Sequence, residues 1–167
     1  MADDIQVDIL KVQGVTVWNT WREHNDDRPD FIGADFIGAN LAGANLAGAN
    51  FRNANLTGAN LKGAILTFTT LTGANLTLVD LTNANLRGAN LTDADLTSAV
   101  LTDATLRLAT LTGATLTGAN LTSADLTNVT GLTLVQLDSA CVEEGGNQPT
   151  LPAGFNVELG PCPEDED

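Results

Sequence analysis

Large rings are scarce in this chain: tyrosine is absent, and two tryptophans and five phenylalanines are the only aromatics among 167 residues. A compact globule fills its centre with such rings, so their scarcity points to a narrow core lined by small aliphatic side chains. Lys, Glu and Arg, which clothe most helix surfaces, are also sparse, and a helical body is not expected. There is one histidine, His24, and there are three serines, Ser98, Ser123 and Ser139. None has a partner in register for nucleophilic catalysis, and one histidine cannot build a zinc site. His24 reads as a solvated helix-end residue. No set of spaced aspartates matches a calcium loop. The expectation is a non-enzyme without cofactor or metal. No apolar run approaches the roughly 20 residues that cross a bilayer, so no membrane insertion is expected. The first ten residues carry Asp3, Asp4 and Asp8 and do not form a signal peptide.

Positive charge is short as well: seven Lys and Arg stand against 21 Asp and Glu, a formal charge of −14. The excess is uneven. Between residues 29 and 128 seven acids face four bases (Arg52, Lys62, Arg87, Arg107), which leaves −3. Beyond residue 130 there are eight acids and no base, the last four at 164–167. Such a chain repels nucleic acid and anionic membranes, and no direct nucleic-acid binding is expected.

What the chain has in abundance is a period. From Phe31 to Leu126 every fifth residue is Phe or Leu, twenty centres without a miss. Two places before each centre stands Ala, except at Pro29, Thr69 and Val79. Five is neither the 3.6 of a helix nor the 2.0 of a flat strand. A steady apolar residue at that spacing means one corner per repeat, with the same side chain turned inward each time. The Ala faces inward where only a methyl fits. The Asn or Asp after it can bond local backbone. Gly often fills the corner, as at Gly33, Gly38 and Gly43, because it accepts positive φ. Thr follows the centre in twelve of the twenty repeats, an outward position that suits a β-branched residue.

This A-[ND]-[LF]-X-X pattern resembles the pentapeptide-repeat family over about 100 residues, counted from the repeat itself. The resemblance implies an all-β solenoid: a right-handed quadrilateral parallel β-helix with four repeats per coil, here five coils. At about 4.8 Å per stacked coil the body would be roughly 24 Å long. The V-x-x-W-N-x-W-R segment (Trp18, Asn19, Trp21, Arg22) and the L-D-x-A-C segment resemble flanks of cyanobacterial members. The domain reading is an N-terminal helical cap over 1–28, the β-helix over 29–130, and a C-terminal helical cap with an acidic tail over 131–167. Open ends would expose backbone and core, so both need covers. Trp18 and Trp21, three apart on a short helix, are expected to lie over the first coil. Thr133 and Gln136 make a capping-box pattern for a helix reaching Ala140, whose Leu134 and Leu137 are expected to cover the last coil.

Cys141 and Cys162 close a short Gly/Pro-rich segment. They are expected to form a disulfide in an oxidising space, with two inert thiols as the alternative. Periplasm or thylakoid lumen is favoured if a leader is missing from this chain, and cytoplasm otherwise. Residues twenty apart stack on one face, so Ile65, Phe68, Arg87, Arg107 and Leu108 share a face where the repeat is broken. These five form the candidate patch for an unidentified protein partner on a monomer or weak dimer. The alternative is that the larger corner residues fold back on the coil and an acid such as Asp103 or Asp125 neutralises an arginine. Family members include DNA-mimicking inhibitors of type II topoisomerases, which is the second functional reading. Mimicry needs aligned charge, whereas the row 35-55-75-95-115 reads Asp, Asn, Asn, Asp, Thr. Stacked Thr57, Thr77, Thr97 and Thr117 make a threonine ladder like that of an ice-binding surface, but the positions beside them vary.

Overall fold

The computed structural model describes residues 3–163. From Asp30↔Asn50 to Thr110↔Thr130, each backbone pairing is parallel and joins residues twenty apart. Four pairings occur per coil, for example Asn40↔Asn60, Asn45↔Ile65, Asn50↔Thr70 and Asn55↔Asn75, so each coil has four five-residue sides. One side bonds its neighbour through Leu41 N–H to Asn60 O (2.8 Å), Gly43 N–H to Lys62 O (2.8 Å) and Asn60 N–H to Ala39 O (2.9 Å). No continuous strand forms among the described residues. The parallel pairing that the resemblance implies is therefore made by isolated bridges. A five-residue side must also turn, and one residue is left to pair as an isolated bridge.

Each corner is a tight turn closed by a bond from the Ala N–H to the central carbonyl three residues earlier, as in Ala34 to Phe31 (3.0 Å). Its third residue has positive φ at all twenty corners from Gly33 to Asn128, ten of them glycine and ten not. The central Phe and Leu side chains are fully buried and the Ala column fills the space beside them. Where Thr69 replaces Ala, its hydroxyl donates to the Leu66 carbonyl (2.8 Å), so the buried polar group is satisfied. The Asn-Leu-Thr pattern also has a local cause. Asn55 Oδ1 accepts from the Thr57 N–H (3.2 Å) and hydroxyl (2.6 Å), and Asp95 does the same for Thr97 (3.0 and 2.6 Å).

The N-terminal cover consists of α1 (Asp4–Asp8), a wide π-type turn (Ile9–Gln13) and α2 (Val15–Glu23). Trp18 is fully buried, stacked on Trp21 at 5.1 Å and tilted against Phe31 at 5.6 Å. Polar side chains finish the open edge of the first coil. Trp18 Nε1 donates to Asn45 O (2.8 Å), Asn19 bonds Gly43 O (3.0 Å) and Asn45 N–H (2.8 Å), and Arg22 reaches Ala47 O (3.2 Å). The W-N-x-W-R run is thus a terminator: rings for the core, amide and guanidinium for the backbone.

At the other end the winding outlasts the repeat. The ladder passes residue 130 through Asn120↔Cys141, Asp125↔Thr150 and Val142↔Pro161, with spacings that loops make irregular. On one side α3 (Leu134–Asp138) replaces a fifth-residue side. Thr133 and Gln136 form the capping box, and Gln136 Nε2 also donates to Leu111 O and Ala114 O at 2.8 Å each. The helix stops at Asp138, short of the expected Ala140, because the chain returns to the ladder at Cys141. Leu137 is buried over the last coil, but Leu134 is 59% exposed, which corrects its assignment as a cover residue. Five residues turn only one narrow face to the coil, and Leu137 with Gln136 occupies it. Cys141 and Cys162 are bonded, with Cα atoms 4.8 Å apart. The acidic run 164–167 lies outside the described residues.

Candidate functional site

The side that contains Leu46, Leu66, Leu86, Leu106 and Leu126 at its centre carries the sequence-selected residues. Stacking in twenties places Ile65 on the column of Asn45, Asn85, Thr105 and Asp125, and Arg87 next to Arg107 on adjacent coils. Phe68 and Leu108 stand in one corner column, two coils apart, about 10 Å by the ladder spacing. Gly88 lies between them. A Cβ at Gly88 would meet the Phe68 ring at 2.7 Å, so the ring lies across the next corner and uses the gap that glycine leaves. Phe68 nevertheless keeps 66% exposure, Leu108 49% and Ile65 42%.

Charge on this face is partly matched. Arg107 pairs with Asp125 at 3.6 Å, and the other ion pair among the described residues, Lys62–Asp80 at 3.0 Å, lies on another side. Arg87 has no such partner among them. Burial works to raise the Asp125 pKa, but the Thr127 hydroxyl and N–H and the Arg107 guanidinium outweigh it and hold the carboxyl below its ordinary value. Asp80 follows the same logic, with Thr82 and Lys62 overcoming its burial.

The corner conformation is what separates these residues from ordinary surface. Of the ten non-glycine corners, seven are Asn, Asp or Ser, the small polar residues that accept positive φ. The other three are Phe68, Leu78 and Leu108. Leu78, 61% exposed, was not selected from the sequence although it breaks the same corner position. It stands half a coil away from the Phe68 column and does not join the patch.

Elsewhere the molecule offers little reactive chemistry. Exposed His24 ends α2, with Nδ1 at 3.0 Å from the Thr20 carbonyl. Among the described residues no His, Cys, Asp or Glu cluster is arranged to hold a metal ion, and no helix is long and apolar enough to cross a membrane. A groove of about 530 Å³ opens beside α3 at the C-terminal cover. No single motif marks it in the sequence.

The family model for pentapeptide repeats matches residues 30–67, 66–97 and 89–128, with eight copies. The chain belongs to the pentapeptide repeat family. Among solved pentapeptide repeat proteins, one from the Arabidopsis thaliana thylakoid lumen is 32% identical, over 77% of this chain and 86% of its own, with a TM-score of 0.63. Rfr23 from the cyanobacterium Cyanothece 51142 is 24% identical, over 84% and 97%, with a TM-score of 0.49. HetL of Nostoc, involved in heterocyst differentiation regulation, is 30% identical, over 73% and 65%, with a TM-score of 0.27. A search of curated protein sequences returns no match. Pentapeptide repeat proteins are in general structural or interaction modules.

Proposed function

We propose that this chain is a non-catalytic, rod-like binding scaffold, a right-handed four-sided solenoid that presents the Phe68 face to a protein partner. The observation that carries this reading is the pair Phe68 and Leu108, exposed apolar side chains held at positive φ in one column. Such a conformation costs about 1–2 kcal/mol for a residue with a Cβ, and both side chains stay about half or more exposed. Strain of this kind is expected where a contact, not the fold, needs the side chain. Ile65 widens the apolar strip, and Arg87 and Arg107 supply the cations common at interface centres. The partner surface would carry an apolar group for the Phe68–Leu108 column and a carboxylate for Arg87.

The bonded cysteines and the lumenal relative together support an oxidising compartment, thylakoid lumen or periplasm. The DNA-mimic reading draws little support from a repeat body of net −3 with interrupted acid rows. The test is crosslinking capture from the native cell extract with wild type, Phe68→Asp, Arg87→Glu and Leu78→Asp. A partner captured by wild type and Leu78→Asp, and lost with the other two, supports the face. Equal capture by all four rejects it. Inhibition of DNA supercoiling by gyrase at micromolar protein would favour the topoisomerase reading instead.

A further inference from the structure

The groove at the C-terminal cover is a second surface, physically separate from the Phe68 column. One wall is α3, with Leu134 and Val135 turned outward, the latter 79% exposed. The opposite wall is the segment around Val157 and Leu159, and Leu137 and Ala140 line the base. Exposed leucine and valine facing each other across about 530 Å³ make an apolar slot wide enough for several side chains.

The charge around the slot says what fits it. Asp138 and Glu158 line the groove and no base does. No Lys or Arg occurs between residues 131 and 163. An apolar slot whose charged lining residues are both acids is complementary to an amphipathic segment whose apolar residues are flanked by Lys or Arg.

The second wall does not stand by its own hydrophobic contacts alone. It is tied back by the Val142↔Pro161 pairing, by the Cys141–Cys162 bond, and by Gln148, whose amide accepts from Leu159 N–H (2.8 Å) and donates to Leu159 O (3.1 Å). We propose that this groove docks a basic amphipathic peptide segment of a partner protein, and that the disulfide keeps its two walls together.

The experiment is a fluorescence-anisotropy titration of the full oxidised chain with a labelled 18-residue Leu/Lys amphipathic helix, beside a Leu/Glu peptide of identical apolar face. The Leu/Lys peptide should bind, and the Leu/Glu peptide should bind at least about tenfold more weakly. Val135→Asp adds an acid while removing an apolar contact at a solvent-facing site. It should leave the melting temperature unchanged and weaken the Leu/Lys peptide about tenfold or more, which non-specific attraction between opposite charges would not do. Reduction of the disulfide should weaken it by a similar factor, whereas Phe68→Asp should leave it unchanged. Equal binding of both peptides, or no effect of Val135→Asp, overturns the proposal. Reversible self-association in sedimentation that Val135→Asp abolishes would also overturn it, by assigning the groove to a second copy.

Discussion

At the amino end the column of central side chains runs into aromatic rings: Trp18 over Phe31, with Phe36 and Phe51 at 5.3 and 4.8 Å from that ring. At the carboxyl end it runs into Leu137, Ala140, Val142 and Leu159, all small by comparison. The first cover has large surfaces to bury and no covalent tie. The second has little apolar mass, and adds a disulfide, a capping box and two glutamine amides that bond backbone. Both finish the same kind of open coil. A solenoid end needs its core shielded and its backbone groups bonded, and each need can be met by different residues. The covers also differ in their hollows: a groove of about 530 Å³ lies beside α3, and one of about 440 Å³ runs along α2 past Trp21.

The comparison can be broken most strongly at Trp18. Trp18→Ala should destabilise the fold by about 3–5 kcal/mol in denaturant melts, with exposure spreading from the first coil. Next is the staple. Cys141→Ser with Cys162→Ser should cost about 3 kcal/mol for a loop of this length, and hydrogen exchange should rise over residues 141–162 while residues 31–50 stay protected. Gln136→Ala removes the reciprocal cap and the bonds to Leu111 and Ala114. It should cost about 1–2 kcal/mol, read as a lower melting temperature without loss of the repeat signal. The smallest effect lies in the body, away from both ends. The Thr97 hydroxyl, then its N–H, hold the Asp95 pKa below its ordinary value against the opposing effect of burial. A lowered folded pKa means this contribution is present above the unfolded carboxylate value and is lost as pH falls through the folded one. Thr97→Val should move the Asp95 titration, followed by NMR, back up toward the ordinary value and flatten the acid limb of stability.

The body was legible because a coil of twenty residues with four identical corners leaves a period of five in the sequence, and nothing else in the chain competes with it. The terminators were half legible. Trp18 and Trp21 announce a helix face, but α1 and the π-type turn, with Ile9 and Leu10 buried beneath them, are too short to show a period. Thr133 and Gln136 mark where α3 begins, yet a five-residue helix does not declare which of Leu134 and Leu137 faces the coil. The ladder beyond residue 130 was hidden because Cys141, Thr150 and Pro161 pair at spacings of 21, 25 and 19 instead of twenty. Of the candidate site, column arithmetic gave the placement of Phe68, Arg87, Arg107 and Leu108. The groove escaped because its walls come from segments about 20 residues apart that only the ladder and the disulfide bring together.

The uniform register of the ladder turns the molecule into a graduated spacer. Between Phe68 and the start of the C-terminal cover, the coils repeat after twenty residues as far as Thr110↔Thr130. Inserting one extra coil between them would move the groove along the axis by about 4.8 Å with no change of facing. Inserting a single five-residue side would instead swing it to the neighbouring side at almost the same height. Distance and azimuth between two surfaces are thereby set by separate, countable units of sequence.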